Sequence, residues 1–369
     1  MDLRTALLRA AVARPHVLVV GGVGTDRLRA RVEQEVARRR WPVATAPADT
    51  DVVVVVGRPG PELGAVIEDV WVGVPAPRAR VQVVDEHEIV PGLDETVGTL
   101  GDLDAQRALA GRDGSRPTRA ASPSVDEDDE QHEHSAHDDH GAEHGTEHGT
   151  EHHHHGGGTE LPGGLAMADL AEDRDGLALD QLHVPLGPVL PEWPSGLVVD
   201  VALQGDVIQD ARARFLDVEA GEAVERLPDA ARALTSVARV LALAGWSGPA
   251  ARTRGLRDRV LFGEGDTAHV ADELDALRRR VHRSRVLPWV LGSRKSSRGA
   301  VLDALEEKFS SARAALGGGG EHRPTTTDLP ALDARLVGAE FAAARLIVAA
   351  ANPAPQPALA EPTSTEGAS

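Results

Sequence analysis

An α/β unit followed by an α+β unit, with a segment between them that cannot fold, is the architecture that this chain of 369 residues predicts. Three observations predict it. Apolar, Val-rich runs alternate with amphipathic helical patterns over residues 14–98. A strand–turn–strand pattern from Gly196 is followed, beyond Gly221, by almost uninterrupted helical periodicity. Between the two lies VDEDDEQHEHSAHDDHGAEHGTEHGTEHHHHGGG, Val125–Gly158, which is too polar and Gly-rich to bury a core. The expected organisation is an α/β domain at 1–98, a disordered linker at 99–164, a β-hairpin and helical domain at 165–351, and a disordered tail at 352–369.

The elements follow in order. Residues 14–20 (RPHVLVV) form a short strand ending at Gly21-Gly22-Val23-Gly24, and a helix follows with Leu28, Val32 and Val36 four residues apart. Pro42–Thr45 reads as a short strand. Asp51 opens VVVVV, a strand buried on both faces, ended by Gly57-Arg58-Pro59-Gly60-Pro61. A helix over about Glu62–Trp71 and a strand over Val81–Val84 complete a parallel sheet. In the second unit, Gly187-Pro188 and Pro191-Glu192-Trp193-Pro194 make a loop. Gly196–Ile208 makes a hairpin turning at Gln204-Gly205-Asp206. Helices are expected near 222–246, 248–261, 266–290, 297–316 and 330–351, with Gly317–Gly320 separating the last two.

Composition narrows the chemistry. Aromatic residues make up 2% of the chain and Tyr is absent, so Ala, Val and Leu must do most of the packing. The formal charge is −19, and residues 126–160 carry twelve Asp or Glu and no Lys or Arg. The acidity thus belongs to the linker, and nucleic acid is an unsuitable partner. There is no cysteine. That excludes disulfides, thiolate zinc sites, cysteine nucleophiles and cysteine-ligated iron–sulfur or nickel–iron centres. The start lacks an apolar core of signal-peptide length, and no stretch reaches the roughly 18 apolar residues of a membrane span. The expected location is the cytoplasm, with peripheral attachment to the inner face of the membrane left open.

Three motifs carry candidate chemistry. Gly21, Gly22 and Gly24 sit between a strand and a helix, where open α/β sheets bind ligands and a helix N-terminus favours an anion or nucleotide. The loop lacks the third Gly of a dinucleotide fingerprint and the Gly-Lys-Ser/Thr of a P-loop, so a tight turn is the competing reading. His132, His134, His137, His140, His144, His148, His152, His153, His154 and His155 supply imidazoles among Asp and Glu. With an ordinary pKa of about 6.5 they are mostly neutral at pH 7 and able to bind Zn²⁺ or Ni²⁺. An inert solvated linker is the competing reading. Arg278, Arg279, Arg280, His282, Arg283 and Arg285, with Arg294, Lys295 and Arg298, form a basic cluster suited to anionic headgroups, an acidic partner or plain solvation.

Two segments carry a family resemblance. Asp51-VVVVVGRPGPELGAVIEDVWVGVPAPRARVQV resembles the 20-kilodalton subunit of respiratory complex I and the small subunit of membrane-bound nickel–iron hydrogenases. Leu182-HVPLGPVLPEWPSGLVVDVALQGDVI resembles the start of the 49-kilodalton complex I subunit and the hydrogenase large subunit. The resemblance implies a flavodoxin-like first domain, a small β-sheet with a helical bundle in the second, and two domains that pack together as those subunits do. The chain departs from the family where its redox chemistry sits. The family's four-iron cluster needs cysteines, two of them in the loop that is here Gly21-Gly22-Val23-Gly24. The family's quinone-cavity loop carries histidines after its Gly-Pro, whereas Val189–Ser195 contains none and presents Pro191, Trp193 and Pro194. His183 precedes Gly187-Pro188 and does not replace them.

The expectation is therefore a non-catalytic structural or coupling subunit of a complex I-like or hydrogenase-like assembly. It would dock on membrane-embedded ion-translocating subunits and hold no iron–sulfur cluster. A metal-handling protein using the His-rich segment for nickel or zinc is the alternative. An enzyme binding a nucleotide at the Gly22–Asp26 loop is the third.

Overall fold

The computed structural model describes residues 12, 14–113, 169–172, 178–218, 225–291, 299–317 and 327–355. The first unit is built on β1 (Val17–Gly21), β2 (Val52–Val56) and β3 (Ala79–Val83). They form a parallel sheet in the order β1-β2-β3. All five valines of β2 are buried, as a central parallel strand requires. Helices α1 (Asp26–Arg38), α2 (Pro61–Val72), α3 (Ile89–Gly101) and α4 (Leu103–Asp113) connect or flank the strands. The stretch at 42–45 contributes one parallel bridge, Val43 to Val17, rather than a strand. With Pro42 unable to donate, little ladder can form there.

The structure corrects the start of the linker. Helix α3 runs on to Gly101 and α4 begins at Leu103, where Asp102 accepts from the N–H groups of Asp104 and Ala105 and so caps α4. The buried Gln106 then ties α4 to the sheet. Its carbonyl accepts from Arg78 N at 2.9 Å, and its amide donates to Arg78 O at 2.9 Å. Residues 114–168, including all ten linker histidines, lie outside the described residues.

The second unit opens with an antiparallel sheet, β4 (Asp169–Glu172), β5 (Ala178–Leu186), β6 (Leu197–Gln204) and β7 (Val207–Phe215). Leu203 faces Ile208 across the turn at Gly205-Asp206, where Gly205 takes φ +59°. Helices follow: α5 (Asp229–Leu243), α6 (Ser247–Phe262), α7 (Thr267–His282), α8 (Val286–Val290), α9 (Gly299–Leu316), α10 (Leu329–Leu336) and α11 (Phe341–Ala351). Helix α5 is buried along almost its whole length, from Ala230 to Leu241, and lies at the centre of the core. Two expected helices are each divided. Asp266 caps α7, while Ser284 interrupts the run before α8 and accepts from Leu287 N. Gly338, at φ +79°, separates α10 from α11 and donates to Ile208 O, drawing this corner onto the end of β7.

The tail also begins later than expected. Asn352 ends α11 in a left-handed conformation. Its side chain accepts from Arg239 at 2.6 Å and donates to Arg232 O at 3.3 Å, and residues through Pro355 are placed. No helix among the described residues is long and apolar enough to cross a membrane.

Candidate functional site

The site lies where the loop after β1 meets the loop between β5 and β6. Thr25 Oγ1 donates to Gly22 O at 2.8 Å, closing a tight turn before α1. A Cβ on Gly21 would stand 2.5 Å from that hydroxyl. From the second unit, Gly196 takes φ +71°, and a Cβ there would lie 2.8 Å from a methyl of Val23. The glycines thus serve a tight turn and a close approach of two loops. The cavity beside Val23 and Gly24 measures about 50 Å³, far below the usual size of a nucleotide pocket.

Trp193 anchors the opposing loop. It is fully buried and donates Nε1 to Leu197 O at 2.7 Å. Gly187, at φ +86°, leaves room for the indole. The neighbouring Ser195 reaches across, donating its hydroxyl to Asp26 Oδ1 at 2.7 Å and accepting from Arg29 Nη1 at 3.2 Å. Arg29 Nε donates to Glu33 at 3.1 Å, Arg257 Nη1 donates to the other Glu33 oxygen at 2.9 Å, and Arg257 Nε reaches Asp258 at 2.8 Å. A continuous polar chain, Asp26–Ser195–Arg29–Glu33–Arg257–Asp258, therefore crosses the joint between units three times.

The electrostatics follow from this chain. Burial pushes the Glu33 carboxyl up, but Arg257, Arg29 and Arg254 outweigh it and hold the group at about 2. Burial raises the Asp258 carboxyl, against the pull of Arg257. Arg254 pairs with Glu192, and Arg345 donates to Pro191 O at 2.7 Å, so the loop is pinned from two helices. Nearby, Arg31 stacks 3.4 Å from the centre of the Phe262 ring, and Arg27 donates to Leu261 O.

The other side of the joint is apolar, with a polar edge. Leu18, Val20, Leu63 and Ile67 pack with Val198 and Leu216 of the second unit. Asp217 accepts from the N–H groups of Glu62 and Leu63 at 2.9 and 3.0 Å, and Glu62 accepts from Asp217 N at 2.9 Å. This is a reciprocal cap on α2 supplied from 155 residues further along the chain.

Of the residues singled out in sequence, Gly21, Gly22 and Gly24 fall at this joint. The histidines from His132 to His155 lie outside the described residues. In the basic cluster, Arg278 and His282 pair with Glu306. Arg279 and Arg280 stand in the last turn of α7, and Trp289 on α8 is 83% exposed. His183 is exposed on β5. Among the described residues, no group of three or more His, Asp or Glu is placed to hold a metal ion. A four-iron cluster does not fit the loop after β1, which offers backbone groups and one threonine hydroxyl in a chain without thiolates. Sequence reasoning missed Asp26, Arg29, Glu33, Arg239 and Arg257. Lone charged residues on helices read as solvated faces, and only the packing of α1 against α5 and α6 reveals Arg239 and Arg257 as buried and the others as partly buried.

The chain matches no protein-family model, no curated protein and no solved structure.

Proposed function

We propose that the chain is a non-catalytic structural and coupling subunit of a complex I-like or membrane-bound hydrogenase-like assembly. The observation that carries this is the joint itself. Loop 187–196 of the second unit sits against the loop after β1 of the first, with buried apolar and ionic contacts. The resemblance calls for this relation between two subunits that pack together. The strand order also supports it. Val43 forms a single parallel bridge to β1 on the side opposite β2, the position that a further strand takes in a flavodoxin-like order. The chain lacks every thiolate that electron transfer in the subunits it resembles would require. The exposed Trp289 and Val286, beside Arg283 and Arg285, offer a surface for docking at the inner face of the membrane.

Affinity isolation of the full chain from detergent-solubilised membranes tests this reading. Membrane-embedded ion-translocating subunits recovered in stoichiometric amount support it, and their absence from a stable, folded preparation overturns it. Cleavage inside 126–158 followed by size exclusion tests the joint separately, with co-elution of the two fragments as the expected result.

The second reading is metal handling, and ten histidines within His132–His155 favour it. Micromolar-scale binding of Zn²⁺ or Ni²⁺, lost below about pH 6 as the imidazoles protonate, is the expected result. Calorimetry on the full chain and on a 126–158 deletion distinguishes these ligands from others. Equal binding by both proteins would remove the histidines as the site.

A further inference from the structure

We infer that the cavity at the joint is a binding site for a small amphipathic monocarboxylate, with Arg239 as its counter-charge. The cavity encloses about 290 Å³, at the small end of the usual range of roughly 300–1,000 Å³ for ligand pockets. Both units build it. Val19, Trp41 and Val43 of the first unit face Leu190, Pro191 and Ala238 of the second, which gives an apolar body.

Seven charged side chains also line it: Arg29, Arg239, Arg254 and Arg257 against Glu33, Glu192 and Asp258. Six of these are matched among themselves. Glu33 lies between Arg29 and Arg257, Asp258 pairs with Arg257, and Glu192 pairs with Arg254. Arg239 is the exception. It is only 8% exposed, and no carboxylate among the described residues lies within ion-pair distance. Of its five N–H donors, one is used in a described hydrogen bond, to the neutral amide of Asn352. The residue lines this cavity and the smaller one beside Gly24.

A buried guanidinium without a directly bonded carboxylate is costly, and its planar fork matches one. Burial and the neighbouring Arg29 lower the Arg239 pKa to about 10 against the pull of Asp26, Glu33 and Glu192, and at that value the group is still protonated near pH 7. One net positive charge at the polar end of a cavity whose other wall is apolar selects one negative charge on an apolar ligand. An inorganic anion would waste the apolar wall, and a dianion would leave charge uncompensated. Because the walls come from both units, an occupant would also hold the joint closed.

Calorimetry on the full chain with octanoate and phenylacetate tests the inference, against octanamide, phenylacetamide and acetate. The acids should bind about tenfold or more tightly than their amides and than acetate, the margin of one charge-assisted hydrogen-bond pair. Arg239→Gln should remove that preference. Arg239→Gln could instead disturb folding, so Ala37→Leu provides an independent arm. It keeps the charge, narrows the cavity from α1, and should weaken octanoate about tenfold or more. Equal binding of acids and amides would overturn the proposal, as would octanoate binding unchanged in a folded Arg239→Gln protein. No binding of either acid at millimolar concentration would also overturn it.

Discussion

Between α1 and α6, a glutamate is held by two arginines inside the joint. Between α2 and the end of β7, an aspartate caps a helix at the surface of the same joint. The first contact buries charge. Arg257 and Asp258 keep 6% and 9% of their side-chain surfaces, and Glu33 keeps 26%, opening on the cavity. The second leaves Glu62 and Arg214 about half exposed. Buried ion pairs repay a large desolvation cost only when every partner is in place, so they contribute little net stability and much specificity of fit. A cap satisfies backbone N–H groups that would otherwise face water, at little desolvation cost. The joint therefore has one side that fixes which surfaces meet and another that adds modest stability.

The sharpest way to break this comparison is Glu33→Ala. It leaves Arg29 and Arg257 buried against each other, and we expect a loss of about 3 kcal/mol, the low end for a broken buried pair because the cavity admits water. Urea unfolding measures it, and a loss equal to that of a surface pair would show that the chain Asp26–Asp258 is not desolvated.

Acid should reach the same side next. The Glu33 pKa is lowered from 4.5 to about 2 on folding. Its contribution is fully present above about pH 4.5 and is lost as pH falls towards 2, because the unfolded chain then binds the proton first. The expected loss is on the order of 2–3 kcal/mol. Stability against pH in wild type and Glu33→Gln should differ in slope within that window and run parallel above it.

Gly196→Ala probes the contact between the two loops. Its Cβ would press on Val23 in a left-handed backbone, and a cost of about 2 kcal/mol is expected. If the loops separate instead, the cleaved fragments should no longer co-elute.

On the other side, Asp217→Ala should cost about 1 kcal/mol, the usual worth of an N-cap. Arg214→Ala, which removes only the exposed pairs with Glu62 and Asp200, should cost less than about 1 kcal/mol. Chemical denaturation ranks the two, and the reverse order would mean that the cap is not formed in solution.

Sequence patterns reveal the parts of this fold that rest on local composition. Five consecutive valines can scarcely be anything but a buried strand, and Gly205-Asp206 between alternating apolar residues marks its own turn. They do not reveal parts that depend on distant partners. Leu103–Asp113 is helical because Gln106 finds Arg78, and nothing in its own periodicity shows that. Asn352 looks like the start of a tail until Arg239 is placed beside it. The glycines at Gly21, Gly22 and Gly24 are visible as a special turn, but their close neighbour Gly196 lies more than 170 residues away. Glu33 is the clearest case. On α1 alone it belongs to an i,i+4 pair with Arg29 at the helix surface, and only α6 turns that surface into an interior.

The cap that Asp217 places on α2 has a consequence for synthesis. A ribosome adds roughly 5–20 residues per second. The 155 residues that separate Glu62 from Asp217 therefore take roughly 8–30 s to appear. For that interval the nascent first unit holds a helix with an unfinished first turn, and its apolar cluster around Leu63 lacks the cover of Val198 and Leu216. The rate of synthesis between positions 62 and 217 sets how long that state lasts.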